Sequence, residues 1–384
     1  MRKSRGLLAS SLVLASLGHA GAPPVVVHEW GTFTSVAGED GRPVAWRALA
    51  QPWELPSFVY RDDAATLPSV TTRPGCIKAT LRGLVRLETP VAYVYAPEPT
   101  RLSFRVDFRD GRLTEWYPAA ALRPGRLTWG DVEVLPGSPA TLPTDGSESH
   151  YYAARVPAAA PLRVPSEAGQ DTESFLFYRG VGQWELPLLA TLAGERLHLT
   201  ALVANLGRVL VFEAREGRAA WRAVDLGNGS TRAPRPSSGD VEGARSALLS
   251  LLVENGLFAE EAEAMLRTWD DSWFEEGLRV FFVLPPSMVD AVLPLRIRPA
   301  PAELRRVFVG RLEVLTPERV QWAEERLTAV GAGAPGEEAL HTLGRFAEPL
   351  LLRIREAGAD PNLRQRSAEL LAANDPPPQQ TSQR

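Results

Sequence analysis

The fold class is decided by residues 101–117, RLSFRVDFRDGRLTEWY. Apolar residues alternate with polar ones from Leu102 to Phe108, and this period of two predicts a strand with one buried face. Asp110-Gly111 is typical of a tight turn, and residues 113–117 lead away from it as a second strand. The stretch therefore predicts a β-hairpin in an antiparallel sheet.

The same pattern recurs through the first half of the chain. Further short strands are indicated by the apolar segments 91–95, 132–135, 175–178 and 197–201. Residues 209–212 and 221–224 flank a second turn at Glu216-Gly217. Because proline and glycine punctuate these segments and helical periodicity is missing, we expect an antiparallel β-sandwich-like domain over residues 21–227.

The periodicity changes in the second half. Residues 228–239 contain Asn228-Gly229-Ser230, which also matches a glycosylation acceptor, and a Pro/Ser-rich stretch; we interpret them as a linker. Amphipathic helices mixed with strands then predict a smaller α/β or α+β domain over residues 240–330. A short helical tail is expected at residues 331–374 and a disordered tail at residues 375–384. The fold is therefore expected to be mixed and mainly β.

The first 20 residues have the pattern of a cleaved export signal. A basic start precedes an apolar run at residues 7–17, and Gly18-His19-Ala20 places small residues where a signal peptidase acts. A run of eleven residues is too short to cross a bilayer, and no second apolar stretch approaches the length of a membrane helix, so we expect a soluble protein without a stable membrane span. The sequence thus predicts an extracytoplasmic location, in the periplasm or secreted.

The overall charge gives no sign of a nucleic-acid partner. Arginine and lysine number 42 against 46 acidic residues, for a formal net charge of −4, and there is no long basic run. Cys76 is the single cysteine, so an intramolecular disulfide is excluded. Stability must come from burial and hydrogen bonding.

The first group of candidate binding residues is His28, Glu88, Tyr93 and Arg179. They lie close to glycine or proline, where chains turn and side chains can converge on a ligand. His28 and Glu88 offer an imidazole and a carboxylate. Tyr93 and Arg179 add a polar-tipped aromatic ring and a guanidinium suited to an anion. A shared site requires the strands that carry these residues to be neighbours.

Each of these residues also has a structural interpretation. His28 would lie in a first strand and bond to a backbone carbonyl, while Trp30 fills the core. Tyr93 and Tyr95 would be edge tyrosines of a sandwich, and the glycines after Arg179 would form a turn. The sequence leaves both interpretations open.

A second candidate cluster lies in residues 269–276, WDDSWFEE, and comprises Asp270, Asp271, Trp273 and Glu275. The acids follow a predicted helix, whose negative end disfavours carboxylates unless something compensates. Calcium, an arginine or a role of Asp271 as the N-cap of a new helix would each do so. No metal site and no cofactor is otherwise predicted, since the histidines lack ligand spacing and Walker, G-x-S-x-G and H-E-x-x-H motifs are missing.

Several motifs together resemble a family of exported bacterial proteins of unknown function. They are HEWGTFTS at residues 28–35, Glu88-Thr89-Pro90 with Tyr93, FYRGVG at residues 177–182 and WFEEGL at residues 273–278. The likeness covers roughly residues 25–317. It implies a bacterial, extracytoplasmic origin and no particular catalytic role.

Two functions are compatible with these observations. The leading hypothesis is an exported, non-catalytic binding or envelope-assembly protein whose extracytoplasmic ligand is a polymer or a peptide. The alternative is a hydrolase of an extracytoplasmic polymer that uses Glu29, Glu88 and His28. Carboxylates that converge in a cleft would favour the enzyme, and an open aromatic face would favour binding.

Overall fold

The computed structural model describes residues 24–46, 55–62, 82–227, 229–331 and 335–374. The predicted signal at residues 1–20, Cys76 and the predicted disordered tail at residues 375–384 lie outside these ranges. Among the residues that the structure describes, no helix combines the length and the apolar composition needed to span a bilayer.

Strands make up the larger part of the regular structure, which confirms the mainly β prediction. In chain order the strands are β1 (Val26–Gly38), β2 (Pro43–Val44), β3 (Tyr60–Arg61), β4 (Arg82–Tyr95), β5 (Thr100–Asp107), β6 (Gly111–Tyr117), β7 (Ala121–Arg123), β8 (Arg126–Val134), β9 (Leu162–Ser166), β10 (Gly169–Glu173), β11 (Leu176–Glu185), β12 (Leu188–Ala193), β13 (Arg196–Ala201), β14 (Gly207–Arg215), β15 (Arg218–Gly227), β16 (Ser230–Pro234), β17 (Gly277–Val283), β18 (Leu295–Arg298) and β19 (Glu303–Leu315).

The helices lie mainly in the second half of the chain. They are α1 (Val241–Glu254), α2 (Ala259–Thr268), α3 (Asp270–Trp273), α4 (Pro286–Val292), α5 (Pro317–Val330), α6 (Gly336–Leu343), α7 (Ala347–Ala357) and α8 (Pro361–Ala373). A 3-10 segment, His150–Arg155, precedes them in the β region. The last three helices correspond to the helical tail that the sequence predicts.

A ten-stranded sheet organises the described part of the molecule, in the order β15-β14-β17-β19-β1-β4-β11-β6-β3, with β2 added beside β1. β1 lies near its centre. It pairs in parallel with β19 along its whole length and antiparallel with β4. We call this the central sheet; it positions most of the residues discussed below.

Each face of the central sheet is covered by a different layer. On one face lie a six-stranded sheet, β10-β9-β8-β5-β18 with β7, and a three-stranded sheet, β12-β13-β16. Val27, Phe104 and Phe308 belong to the apolar core of this sandwich. The other face is covered by α1, α2 and α3, whose Leu248 and Met265 pack in one cluster with Trp30. Helices α5 to α8 form a third apolar cluster at the end of β1.

The prediction of a hairpin at residues 101–117 is wrong. Both strands form, but β5 pairs with β8 and β18 in the six-stranded sheet, whereas β6 pairs with β11 and β3 in the central sheet. A two-residue hairpin turn needs positive φ at both central positions in type I′ or at the first in type II′. Glu216 and Gly217 have positive φ (54° and 73°) and join β14 to β15, but neither Asp110 nor Gly111 does. The segment therefore carries the chain from one sheet to the other.

The predicted linker and domain boundary also differ from the structure. Within residues 228–239, β16 (Ser230–Pro234) pairs with β13. The strands on the two sides of this segment share the central sheet, since β14 pairs with β17 and β1 with β19. Residues rich in proline and serine can thus form an edge strand, and pairing between distant strands joins the two predicted domains.

Candidate functional site

The His28 side chain is enclosed by the helical layer. Its Nδ1 lies 2.8 Å from Oε2 of Glu261, and both side chains are buried. Glu261 also accepts hydrogen bonds from the backbone N–H of Phe258 (2.8 Å) and the hydroxyl of Tyr95 (2.7 Å). The Phe258 ring covers the imidazole at a centroid distance of 4.4 Å. His28 therefore anchors β1 to the first turn of α2, through a carboxylate and not the expected backbone carbonyl.

Glu29 points to the opposite face of the central sheet. It is completely buried, and it accepts hydrogen bonds from the Tyr178 hydroxyl and from Nε of Arg306, both at 2.5 Å. Arg306 also donates to Asp290 at 2.8 Å. Burial, and next the charge of Glu29, raise the pKa of Tyr178 well above its ordinary value. Glu29 and His28 are thus held apart by strand alternation.

Tyr93 lies on β4 directly opposite His28, so the strands of these two candidates are neighbours. Its hydroxyl donates to the carbonyl of Ala154 at 2.6 Å, and the whole side chain is buried. Burial, followed by the neighbouring Tyr95, raises the pKa of Tyr93. Tyr93 is therefore a core residue with a paired hydroxyl and not an edge tyrosine.

Glu88 lies further along β4, beyond a register shift between Trp30 and Thr32, and Arg179 lies on the neighbouring strand β11. Glu88 is buried; it accepts a short hydrogen bond from the Thr34 hydroxyl and contacts the Arg345 guanidinium. Arg179 Nη2 donates to the Thr89 hydroxyl at 3.3 Å. The four predicted residues thus divide into two pairs, with His28 and Tyr93 near the end of the β1–β4 pair and Glu88 and Arg179 beside its middle.

The glycines that follow Arg179 have a packing function. They lie within β11, and a Cβ atom on Gly180 or Gly182 would come within 3.0 Å of the Phe108 ring. A Cβ atom on Gly111 would meet the same ring at 2.6 Å. The predicted turn at this position is therefore replaced by a strand whose glycines make room for Phe108.

A cavity of about 160 Å³ lies next to Arg179 and is lined by residues of both predicted clusters. Besides Arg179, its lining includes Thr89, Trp269, Asp271, Glu275 and Arg345. We call it the Thr89 cavity. Its volume is sufficient for a group the size of a carboxylate together with a few adjoining atoms.

The other two members of the second cluster are engaged elsewhere. Asp270 forms a short ion pair with Arg245. Trp273 is buried, with its ring parallel to that of Trp269 and 5.1 Å from that of Phe281. Asp271 lies inside α3, so the expected N-cap function is not found there.

The charges in the Thr89 cavity are arranged in pairs. Nε2 of His150 lies 3.2 Å from Asp271, and this hydrogen bond is the main cause of the lowered pKa of Asp271. Burial raises the pKa of Glu275, although Arg311, which donates to Glu275 at 3.1 Å, partly opposes the shift. An arginine thus compensates one acid of the cluster and a histidine another. No group of three potential ligands that could hold a metal ion occurs in the described part of the chain.

Two features of the cavity wall are unusual. Trp269 is 4% exposed, and its indole N–H has no hydrogen-bond partner among the described residues, which is also true of Trp30, Trp46 and Trp273 away from the cavity. Thr89 has a φ of 48°, a left-handed conformation that is costly for a β-branched residue and lies at the β-bulge where the β1–β4 register shifts. Bulges and backbone strain concentrate at functional sites. The two features beside one cavity therefore make it the candidate ligand site.

Sequence reasoning missed most of these wall residues. Thr89 is marked only by its position before Pro90, which restricts its backbone. Trp269 resembles any core tryptophan, and His150 lies in a polar loop. Arg345 comes from a 3-10 turn more than 160 residues beyond Arg179. No local pattern predicts that these side chains line one cavity.

Comparison with known proteins identifies no family. No protein-family model and no curated protein matches the sequence. Among solved structures, the chain is similar to the Mu homology domain of Fcho1 from Danio rerio with bound Eps15 peptide, at 10% identity and a TM-score of 0.32, over 77% of this chain and 98% of that one. It is also similar to the yeast delta-COP-I mu-homology domain, at 7% identity and a TM-score of 0.31, over 76% of this chain and 98% of that one. Likeness at this level carries no information about the ligand.

Proposed function

We propose that the chain is an exported, non-catalytic binding protein that holds a carboxylate of an extracytoplasmic peptide or polymer in the Thr89 cavity. The observation that carries the proposal is Trp269, a residue of the cavity lining whose buried indole N–H has no partner in the described part of the protein. The nitrogen itself is closed to solvent, so a ligand oxygen would supply that partner after a local shift of the wall. A buried donor left unpaired costs about 1–3 kcal/mol, and a bound acceptor would recover that free energy.

The side of the wall formed by Arg179 and Thr89 suits an anionic acceptor, while the two acids of the lining are paired with His150 and Arg311. The Arg179 guanidinium and the Thr89 hydroxyl lie beside the cavity and are bonded to each other at 3.3 Å. A guanidinium presents a planar fork of donors that matches a carboxylate. The small volume of about 160 Å³ suits a chain terminus or a side-chain carboxylate rather than a complete sugar or peptide.

The hydrolase alternative has support from a different set of residues. Glu29, Glu88 and His28 do not share a cleft, since each is buried in its own set of bonds. Glu275 has a raised pKa and lies in the Thr89 cavity with the His150–Asp271 pair. A carboxyl group with a raised pKa is suited to act as a general acid. A hydrolase would therefore use Glu275 as its acid.

Binding is tested with trialanine and its C-terminal amide as probes. We expect trialanine to bind, the amide to bind more weakly, and Trp269→Phe to weaken trialanine binding by about tenfold, the factor expected for one hydrogen bond of ~1.4 kcal/mol. Trp322→Phe is the matched control, because Trp322 lies on α5 away from the cavity lining. Equal affinity for trialanine and the amide, or no effect of Trp269→Phe, would contradict the proposal.

The same samples distinguish binding from hydrolysis. Mass spectrometry of peptides incubated with the protein should show no turnover if the protein only binds. Turnover that Glu275→Gln abolishes, with binding retained, would establish the hydrolase instead.

A further inference from the structure

A second concave surface lies where the chain passes from β5 to β6, on the sandwich side of the molecule. One cavity of about 550 Å³ adjoins another of about 460 Å³, and both are lined by Gly111, Pro124 and Gly125. The first is completed by residues of β5 and β18 and the second by residues of β6 and β7. We call the continuous surface the arginine groove. It shares no lining residue with the Thr89 cavity.

The groove contains six arginines and two aspartates. Asp107 accepts hydrogen bonds from Arg105 at 3.0 Å and from Arg126 at 2.5 Å. Burial by itself would raise the pKa of Asp107, but these hydrogen bonds outweigh it and hold the pKa below its ordinary value. Asp62 is similarly bonded to Arg112 at 2.8 Å. Both acids are therefore already engaged by arginines of the groove.

The remaining three arginines lack such compensation. Arg109, Arg123 and Arg296 have no hydrogen bond or ion pair from their side chains within the described ranges, although all three line the groove. The whole protein has a net charge of −4, so this excess of positive charge is local. A polyanion would be attracted to the groove and repelled by the rest of the surface.

One of these arginines faces another arginine across a strand pair. Arg296 on β18 lies directly opposite Arg105 on β5. Like charges at directly opposed positions of an antiparallel pair are unfavourable, although Asp107 balances the charge of Arg105 here. A bound anion would offset the remaining charge of Arg296.

The surface between the charges is apolar and comes mainly from rigid residues. Pro124 is exposed, and Pro294 and Leu122 are half-buried. Rings with apolar faces can pack against such a surface, while guanidinium forks bind carboxylates. A simple inorganic polyanion would use the charges and leave the prolines without contacts.

We propose that the arginine groove binds an acidic polysaccharide, with uronate carboxylates on Arg109, Arg123 and Arg296 and sugar faces against Pro124 and Pro294. This inference is independent of the Thr89 cavity and of the carboxylate ligand proposed for it.

The test is calorimetric titration with alginate, a polymer of uronates, on the full chain. The triple variant Arg109→Ala/Arg123→Ala/Arg296→Ala is expected to bind alginate at least about tenfold more weakly than the parent. The matched control is Arg215→Ala/Arg218→Ala/Arg232→Ala, which removes the same charge from exposed arginines on β14, β15 and β16. The control is expected to keep alginate affinity within about twofold. Equal weakening in both triple variants would overturn the proposal, because it would show attraction by charge alone.

Two further measurements separate the sugar from other anions and binding from folding. Dextran, polyphosphate and poly-glutamate are titrated beside alginate; tighter binding of polyphosphate or poly-glutamate would overturn the assignment to acidic sugars. The single variant Arg296→Ala removes the repulsion with Arg105. It is expected to melt at the same or a higher temperature while binding alginate more weakly, and a lower melting temperature with unchanged binding would make Arg296 a structural residue.

Discussion

Two regions of the β1–β4 strand pair carry similar chemistry but use it differently. Near one end of the pair, His28 is bonded to Glu261 and covered by Phe258, so its polar atoms are used inside the protein. In the middle of the pair, Thr89 is strained and the nearby Trp269 N–H lacks a partner among the described residues. The comparison teaches that a conspicuous motif such as HEWGTFTS can be structural, while a site forms from less conspicuous residues.

The difference follows from how each group is satisfied. Burial of a polar group is tolerated when its hydrogen bonds are made, and such groups then specify the packing of the elements they join. His28 joins β1 to α2, and Glu29 joins β1 to β11 and β19. The region around Thr89 leaves a donor and a cavity between the sheet and its helical cover.

The largest expected effect concerns Glu29, which follows His28 on β1 and is buried with its partners. Glu29→Ala leaves the buried Arg306 without its main partner and should lower the free energy of unfolding by about 3–5 kcal/mol, measured by urea denaturation. The control is Asp290→Ala, which removes the partner of Arg306 that is 65% exposed and should cost at most about 1 kcal/mol. Similar losses in the two variants would show that Glu29 does not hold β1 in place.

His28 should have the next largest effect. His28→Ala removes a buried partner of Glu261 and the contact with Phe258, and we expect a loss of about 2 kcal/mol in the same experiment. Trialanine affinity should not change, because His28 lies outside the Thr89 cavity. His198→Ala, on a half-exposed position of β13, should change stability by less than about 0.5 kcal/mol. A stable His28→Ala protein that has lost trialanine binding would contradict this account, because it would make His28 a binding residue and not a structural one.

Gly180 tests whether the motif beside Arg179 serves packing. A Cβ atom there would lie 2.4 Å from the carbonyl oxygen of Arg112 and 2.9 Å from the Phe108 ring. Gly180→Ala should therefore lower stability by about 1–3 kcal/mol through overpacking. Gly130→Ala, where a Cβ atom would meet nothing within 4 Å, is the control and should be nearly neutral. An equally small effect of Gly180→Ala would contradict the packing function and favour the sequence-based interpretation of this glycine as part of a turn.

The smallest expected effect is a pH dependence at the mouth of the cavity. The hydrogen bond from His150 lowers the pKa of Asp271 more than burial raises it. Its contribution to stability is therefore present above the unfolded pKa of about 3.9 and is lost as the pH falls through the lower folded value. Because 62% of the Asp271 side chain is exposed, we expect less than about 1 kcal/mol.

The measurement for Asp271 is a carboxyl titration by NMR. His150→Ala should raise the pKa of Asp271 toward its ordinary value, whereas His198→Ala should leave it unchanged. An unshifted Asp271 in His150→Ala would mean that the pair does not form in solution.

Alternation along the strands was sufficient to predict the mainly β class, because burial of one face imposes a period of two on each strand. Alternation was not sufficient to predict which strands pair with each other. The hairpin expected at residues 101–117 was wrong because the chain changes sheets at Phe108, and the parallel pairing of β1 with β19 joins residues 277 positions apart. Such pairings depend on the complete set of strands and not on local pattern.

The candidate site was predicted in part. The chemistry of Arg179, Asp271 and Glu275 predicts them as binding residues, and all three line one cavity. The sequence does not predict Thr89 and Trp269, because strain at the first and the unpaired N–H of the second arise only when distant elements pack. Residue type can thus indicate which side chains are able to bind, while tertiary structure decides which of them have a partner already.

The most direct test of the account is the indole N–H resonance of Trp269 in a ¹H–¹⁵N NMR titration with trialanine. Trp273 provides an internal reference, since its ring is parallel to that of Trp269 but does not line the cavity. We expect the Trp269 resonance to shift progressively with trialanine and to remain in place with the amide, while the Trp273 resonance moves little in both. A Trp269 resonance that stays in place while trialanine binds would contradict the assignment of the Thr89 cavity as the ligand site.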